Sequence, residues 1–163
     1  MLTVSNTSPL LNLAIIDHLS LPEKQFQTVY IPEAVLAAEL RVNENLNGSN
    51  HLKAALEKGW LKVQPVQNQA FVKLLRRELD QGESEAIALA IEKQADLILL
   101  DEKEGRRIAR TLNLRITGIL GIAIKAFQNG DLESMSEFIQ KLRTQAHFHV
   151  SPSLEQQILA QIK

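Results

Sequence analysis

Residues 95–105 read ADLILLDEKEG, an apolar run from Leu97 to Leu100 that ends directly at two acids, Asp101 and Glu102. A short apolar run of this kind, bounded by polar residues, is typical of a strand that is buried on both faces. In open α/β sheets the functional groups lie beyond the carboxyl ends of the strands. The stretch therefore predicts the central strand of an α/β sheet, with acidic side chains at its functional edge.

Strand-like and helix-like segments alternate along the rest of the chain. Predicted strands cover residues 2–5, 28–31, 60–66, 97–100, 115–117 and 147–150, and the third of these is expected to be peripheral. Predicted helices cover residues 10–18, 33–41, 51–58, 71–79, 83–93, 106–112, 119–127 and 134–145, and Ser153 is expected to cap a closing helix to Lys163. Residues 42–50 are predicted to form a polar loop, and Gly82 a break between two helices. This alternation predicts a parallel sheet with helices on both faces, in one domain of residues 1–163.

Composition narrows the classes of protein that the chain can belong to. Its 163 residues are 45% hydrophobic and 23% charged, which is ordinary for a globular domain. The net charge is −1, so any nucleic-acid binding must come from a local basic patch. There is no cysteine, which excludes disulfides, a thiolate nucleophile and Cys-ligated zinc.

The N-terminal segment MLTVSNTSPLLNLAIIDHL is apolar but has no basic region and no small-residue cleavage site. No apolar run in the sequence approaches the ~18 residues that are needed to span a bilayer. We therefore expect a cytoplasmic protein that is not inserted in a membrane.

Acidic residues recur where the predicted elements would meet the functional edge. Glu83 and Glu85 lie at a helix start, Glu39 lies late in the helix after the second strand, and the first strand is followed by the polar turn Asn6-Thr7-Ser8. Carboxylates gathered at one edge repel each other unless a hard cation such as Mg²⁺ or Mn²⁺ lies between them. Such a site could activate a water molecule and stabilise the charge that develops on a phosphodiester.

Each acid also has an ordinary structural explanation. The helix dipole favours Glu83 and Glu85 at a helix start, Asp101 is a common turn or cap residue, and Glu39 suits a solvated helix face. Only their joint arrangement with the polar turn favours a metal site.

Basic residues near the acids offer a second, weaker signal. Arg106 and Arg107 follow Asp101 and could clamp a phosphate through two-pronged hydrogen bonds. They could equally form ion pairs with Glu102 and Glu104. Lys73, Arg76 and Arg77 could border a groove for a nucleic-acid backbone, although a plain surface role is favoured.

Other chemistries have little support in the sequence. The four histidines are scattered, so a zinc site is not expected. Neither GxGxxG nor GxxxxGK[ST] occurs, so the sequence does not indicate a nucleotide-dependent enzyme. With few aromatic residues, bound RNA would be recognised mainly by its shape and backbone charge.

Four segments carry a family resemblance: VSNTSPLLNLA, IPEAVLAAEL, LDQGESEAIALAIEKQADLILLDEKEGRRIA and RITGILGIAIKA. They resemble the PIN-domain group of the DUF3368 type, related to VapC toxins. The likeness extends from Val4 to about Ala126 and continues more loosely to the C-terminus. It implies a three-layer α/β/α sandwich with a central parallel sheet and a Mg²⁺- or Mn²⁺-dependent ribonuclease site.

The resemblance also implies which residues form that site. PIN domains usually carry an Asp after the first strand, then a Glu, then two further acids, and Asn6, Glu39, Glu83 and Asp101 fall at these positions. Thr7 and Ser8 match the hydroxyl residues that commonly follow the first acid and help to position it, and Glu85 is a neighbour that could substitute for Glu83.

The departure at Asn6 affects the expected activity. An asparagine keeps a carbonyl oxygen that can bind a metal but lacks the negative charge on which hard cations depend. Three functions therefore remain open. They are a toxin-type metal-dependent endoribonuclease with an antitoxin partner, a weakened or inactive PIN-like protein that binds a partner, and, ranked last, a small-molecule α/β enzyme. Because related PIN proteins often pair, the apolar helix 119–127 could contribute to a homodimer, although a place in the core is its default role.

Overall fold

Five short parallel strands form the middle layer of the protein in the part of the chain that the computed structural model describes, residues 1–33 and 48–162. The strands are β1 (Thr3–Ser5), β2 (Val29–Pro32), β3 (Leu61–Gln64), β4 (Leu97–Leu99) and β5 (Ile116–Thr117). Their order in the sheet is β3-β2-β1-β4-β5, and because all neighbouring strands are parallel, the connections between consecutive strands are crossovers. The peripheral position predicted for residues 60–66 is confirmed, because β3 is an edge strand.

The prediction that residues 97–100 form the central strand was wrong. β4 lies between β1 and β5, and β1 occupies the centre. The error has a physical source, because β1 carries the polar residues Thr3 and Ser5, which are nevertheless fully buried. A ranking of the strands by hydrophobicity alone therefore underestimates how deeply β1 is buried.

Nine helices flank the sheet in the described residues. They are α1 (Thr7–Ile15), α2 (Ser20–Phe26), α3 (Ser49–Lys58), α4 (Gln69–Leu75), α5 (Gln81–Glu92), α6 (Lys103–Thr111), α7 (Ile119–Gln128), α8 (Met135–Gln145) and α9 (Pro152–Gln161). None of them is long and apolar enough to cross a lipid bilayer.

The two faces of the sheet are covered by two separate apolar clusters. Val4, Ile98 and Leu100 pack against residues of α4, α5 and α6. On the opposite face, Ile31 and Leu99 pack in a larger cluster with residues of α1, α3, α7 and α8. Side chains alternate between the faces along each strand, which is why Ile98 and Leu99 belong to different clusters. The predicted three-layer α/β/α sandwich with a parallel sheet is thereby confirmed.

Several helix boundaries differ from the predicted ones. Helix α2 was not predicted, because Pro22 and three charged or amide residues obscure its short apolar face. Gly82 is not a break, since it lies in the first turn of α5, and Asp80 caps that helix. Arg106 and Arg107 lie one turn inside α6, which begins at Lys103. Residues 34–41 of the predicted helix and residues 42–47 of the predicted loop lie outside the described residues, and the end of that loop, residues 49–50, belongs to α3.

Residues 147–150 do not form the predicted strand. His147 has a left-handed backbone (φ 53°), and the Phe148 N–H donates to Leu142 O at 2.9 Å. The Arg143 guanidinium donates to Val150 O at 2.7 and 3.0 Å. Helix α8 therefore supplies hydrogen-bond partners that a sheet would otherwise provide. The closing helix is capped by Ser151 and not by Ser153, since the Ser151 hydroxyl accepts from Leu154 N.

Candidate active site

The carboxyl ends of β1 and β4 bring two of the predicted site residues to one edge of the sheet. Ser5 is paired in register with Leu99, and the Asn6 N–H donates to Leu99 O at 3.1 Å. Asn6 follows β1 directly, and Asp101 comes two residues after β4. Parallel strands therefore place these two residues at the same edge, as the strand pattern predicted.

Asn6 is buried and serves as the N-cap of α1. Its Oδ1 accepts a hydrogen bond from Thr7 N at 2.9 Å, and only 5% of the residue is exposed. The buried Thr7 hydroxyl has no hydrogen-bond partner in the described structure, and Ser8 is half-buried. Asn6 thus has a local structural role that an aspartate would also fill, because both residues are favoured N-caps.

Asp101 is held by the start of α7 and keeps one oxygen free. Its Oδ1 accepts from Ile119 N at 3.1 Å, whereas its buried Oδ2 has no hydrogen-bond partner in the described structure. Burial raises the pKa of Asp101 to about 6, against the lowering effects of the Ile119 amide and of Arg106. A Cβ atom at position 118 would overlap Asp101 Oδ1, so Gly118 is what allows the carboxylate to lie here.

Glu83 is buried, in the first turn of α5. Asp80 caps this helix by accepting from Glu83 N at 2.8 Å. Burial raises the pKa of the Glu83 carboxyl to about 7, and a hydrogen bond with the Asp80 carboxyl acts in the same direction. The Gly105 backbone N–H donates to Glu83 and acts against this rise. A Cβ atom at Gly105 would lie 2.5 Å from Glu83 Oε2, so the start of α6 approaches this carboxylate closely.

Glu85 and Glu102 surround this pair of acids in different ways. Glu85 is buried, with Oε1 accepting from Gln81 Nε2 at 2.9 Å and with Oε2 unpartnered in the described structure. Glu102 is exposed, and its negative charge raises the pKa of both Glu83 and Asp101. Glu83 and Asp101 therefore share an electrostatic environment through Glu102.

The two predicted phosphate-binding arginines have different surroundings. Arg107 is exposed and forms ion pairs with Glu104 at 3.1 Å and Glu78 at 3.5 Å, as in the surface explanation that the sequence also allowed. Arg106 lines a cleft with Asp101, and its buried Nε has no partner in the described structure. Of the two arginines, Arg106 is the better placed to act beside Asp101.

Glu39 lies outside the described residues. Within the described ranges, no group of three or more His, Cys, Asp or Glu side chains is arranged to hold a metal ion. The sequence interpretation overlooked Asp80, Gly105 and Gly118. Asp80 lies three residues before Glu83, which is the spacing of a helix cap and could have identified it. The two glycines gave no local signal. The carboxylates that they accommodate, Glu83 and Asp101, are distant from them in sequence, and the orientation of a side chain cannot be predicted from the sequence.

The family model of DUF3368, a PIN domain, matches residues 2–163. The chain belongs to this family of PIN domains. PIN domains are generally nucleases, so the acidic edge described above lies in a nuclease fold. A search of curated proteins found no match to this chain.

Proposed function

We propose that this PIN domain is a metal-dependent endoribonuclease of the toxin–antitoxin type, similar to VapC toxins. It would hydrolyse RNA phosphodiesters with a water molecule activated by Mg²⁺ or Mn²⁺. The observation that carries the proposal is the pair of carboxylates at the edge where β1 and β4 end, the buried Glu83 and the half-buried Asp101, whose Oδ2 is itself buried.

The chemistry of these residues fits a hard cation. Burial disfavours the charged form of both carboxyls, and a nearby positive charge would favour it. The buried Asp101 Oδ2 lacks a hydrogen-bond partner in the described structure, so it can offer a lone pair to a cation. Asp101 and Glu83, with Asn6 and Glu39, would provide the oxygen ligands that Mg²⁺ and Mn²⁺ prefer. Such an ion supplies an acidified water and stabilises negative charge on the phosphate when it is bound.

The protein's own groups would position this chemistry. The Ile119 amide fixes one oxygen of Asp101 and leaves the other free, and the Gly105 amide orients Glu83. With a pKa of about 7, the Glu83 carboxyl changes between its protonated and ionised forms near neutral pH. Ionisation of Glu83 therefore needs little free energy at neutral pH. Arg106, beside Asp101, would balance the charge of a phosphate.

A second candidate function follows from Asn6. Its side-chain oxygen is already engaged by Thr7 N, and it lacks the charge of an aspartate. This capping role of Asn6 would be sufficient in a protein that keeps the PIN fold and binds a partner but has weak or no catalysis. For the toxin function, the expected partner is a small antitoxin protein that covers or remodels the acidic edge.

Cleavage of a labelled single-stranded RNA with Mg²⁺, Mn²⁺ or EDTA tests the proposal. We expect cleavage that requires the divalent ion, and a loss of at least about 100-fold in Asp101→Ala because a ligand of the ion is removed. Glu57→Ala, which removes an exposed carboxylate of α3, is the control and should cleave normally.

Asn6→Asp separates the two candidate functions. It keeps the N-cap of α1 and adds the missing charge, so cleavage should increase if Asn6 only weakens the site. If both the wild type and Asn6→Asp fold but neither cleaves RNA, the nuclease proposal fails and the partner-binding function is favoured.

A further inference from the structure

Two clefts adjoin along the outer edge of β5. One of about 410 Å³ is lined by Asp101 and Arg106, and the other of about 600 Å³ by Arg115 and Lys125. The clefts share three lining residues, Ile116, Thr117 and Gly121. They therefore form one continuous surface, the β5 groove, which runs from Asp101 past the last strand of the sheet.

The charge of the β5 groove differs from that of the whole chain. Its lining includes four cationic side chains, Lys24, Arg106, Arg115 and Lys125, and one carboxylate, that of Asp101. The chain as a whole has a net charge of −1. The groove is thus a local basic patch that ends at an acid of the candidate active site. Its positive charge is complementary to the negative charge of a polyanion.

Two of these cations are available to bind an anion. Arg115 and Lys125 are exposed, and neither side chain forms a hydrogen bond or an ion pair within the described parts of the chain. Lys24, by contrast, is paired with Asp131 at 3.3 Å. Two free cations that line the same cleft are suited to contact the phosphates of a single strand.

The end of the β5 groove near Asp101 is largely apolar. Phe148, Leu120 and Ile124 line it, and Gly118 and Gly121 add no side chain that would narrow it. Aromatic platforms beside cations are how proteins bind the unpaired bases and the backbone of single-stranded nucleic acids. The groove offers both features, which a phosphate-binding site alone would not need.

We propose that the β5 groove binds single-stranded RNA, with one base against Phe148 and phosphates further along the strand at Arg115 and Lys125. The strand would then pass beside Asp101. This inference rests on the proposed function in that it takes RNA as the substrate, but it concerns binding and not hydrolysis.

Fluorescence anisotropy with a 5′-labelled, mixed-sequence single-stranded RNA in EDTA tests binding without cleavage. Arg115→Ala/Lys125→Ala should weaken binding roughly tenfold or more, because two charge-assisted contacts are lost. The slope of log K against log salt concentration should fall in magnitude by about 1.4, or about 0.7 for each phosphate contact. Lys53→Ala/Arg110→Ala is the matched control, since it removes one Lys and one Arg from exposed positions of α3 and α6 that do not line the β5 groove.

Phe148→Leu tests the base-binding part of the groove separately. This variant keeps an apolar side chain where Phe148 packs against the core but removes the flat ring. Binding should weaken several-fold with an unchanged salt slope, because stacking is lost and no charge is removed. Circular dichroism and thermal unfolding of each variant confirm that it is folded.

The outcomes separate this inference from the proposed function. If the wild type cleaves RNA but the groove variants bind as tightly as wild type, or no more weakly than the Lys53→Ala/Arg110→Ala control, the inference is overturned and the nuclease stands. If RNA is bound through Arg115 and Lys125 without any cleavage, the inference stands and the nuclease proposal fails. If the wild type does not bind the RNA, the inference is overturned.

Discussion

Glu83 is a buried carboxylate and Asp101 a half-buried one, and each is held by a backbone amide from a later part of the chain. Ile119 N donates to Asp101, and Gly105 N donates to Glu83. In both cases a glycine permits the close approach, Gly118 for Asp101 and Gly105 for Glu83. At the scale of single residues, the position of each carboxylate therefore depends on a glycine that leaves space for it.

Replacement of Gly105 by alanine tests this dependence. The new Cβ would lie 2.5 Å from Glu83 Oε2, so the carboxylate must move. Because the displaced atom is the end of a flexible side chain and alanine favours a helix, the free energy of unfolding should change by less than about 1 kcal/mol. RNA cleavage should nevertheless fall by about tenfold or more, since small displacements of a catalytic group are costly.

Denaturant unfolding and cleavage rates of the same Gly105→Ala preparation check both parts. Glu104→Ala, a change at the neighbouring exposed position, is the control and should affect neither measurement strongly. Normal cleavage by Gly105→Ala would show that the position of Glu83 is unimportant.

Helix α5 carries Glu83 into the site, and its start is fixed by Asp80. The Asp80 carboxylate accepts from Glu83 N at 2.8 Å and also raises the pKa of the Glu83 carboxyl. One residue thus caps the element and tunes the acid that the element presents. The two effects can be separated, because asparagine caps a helix as well as aspartate but carries no charge.

Asp80→Asn and Asp80→Ala are therefore expected to differ. Asp80→Ala should lower the free energy of unfolding by about 1 kcal/mol through loss of the cap, and Asp80→Asn should not. Both variants should lower the pKa of Glu83, because the neighbouring negative charge is gone. Urea unfolding and NMR titration of the Glu83 carboxyl carbon measure these effects, and equal stability of the two variants would contradict the assigned capping role.

At the other end of the chain, Arg143 joins α8 to α9. Its guanidinium donates to Val150 O and forms an ion pair with Glu155 at 2.6 Å, and both partners of the pair are largely buried. Helix α9 contributes Leu154 and Ile158 to the wall of the β5 groove. The position of this wall therefore depends on one side chain of α8.

Arg143→Ala should lower the free energy of unfolding by about 2 kcal/mol, since it removes hydrogen bonds that involve a charged group. Arg143→Lys should recover only part of this loss, because an ammonium cannot reproduce the planar fork of donors. Thermal and denaturant unfolding test the order of the three proteins. Wild-type stability in Arg143→Lys would show that charge alone is sufficient.

For the molecule as a whole, the two raised pKa values link folding to pH. The pKa of Glu83 rises from 4.5 to about 7 on folding, and that of Asp101 from 3.8 to about 6. The folded state therefore binds protons more tightly than the unfolded state between these values. By linkage, the contribution of these groups to stability is complete below about pH 4 and is lost as the pH rises to about 7.

The metal-free protein should accordingly lose part of its stability between pH 5 and pH 7.5. The difference in unfolding free energy between wild type and Glu83→Gln isolates the contribution of Glu83, since glutamine does not titrate. Mg²⁺ or Mn²⁺ should raise the melting temperature more at pH 7.5 than at pH 5, because it binds the ionised carboxylates. A wild-type minus Glu83→Gln difference that does not vary with pH would contradict the raised pKa.

The alternation of segments determined the α/β/α class, and the apolar run before Asp101 determined where an acidic edge lies. Both are local signals, since strand and helix periodicity can be read within a few turns of chain. The same signals misplaced the centre of the sheet and predicted a strand at residues 147–150. Strand order depends on pairing between β1 and β4, a segment more than 90 residues away, and α8 supplies the partners of residues 148 and 150.

Only the tertiary structure decided the surroundings of the acids. The sequence contains Glu83, Asp101, Arg115 and Lys125, but it does not show that Glu83 is buried and Asp101 half-buried, or that the last two line the same groove. Burial, shifted pKa values and groove charge arise from groups that come together only when distant segments pack. The sequence therefore determined which chemical groups are present and at which edge, and the packing of α5, α6 and α7 on the sheet decided their ionisation and their neighbours.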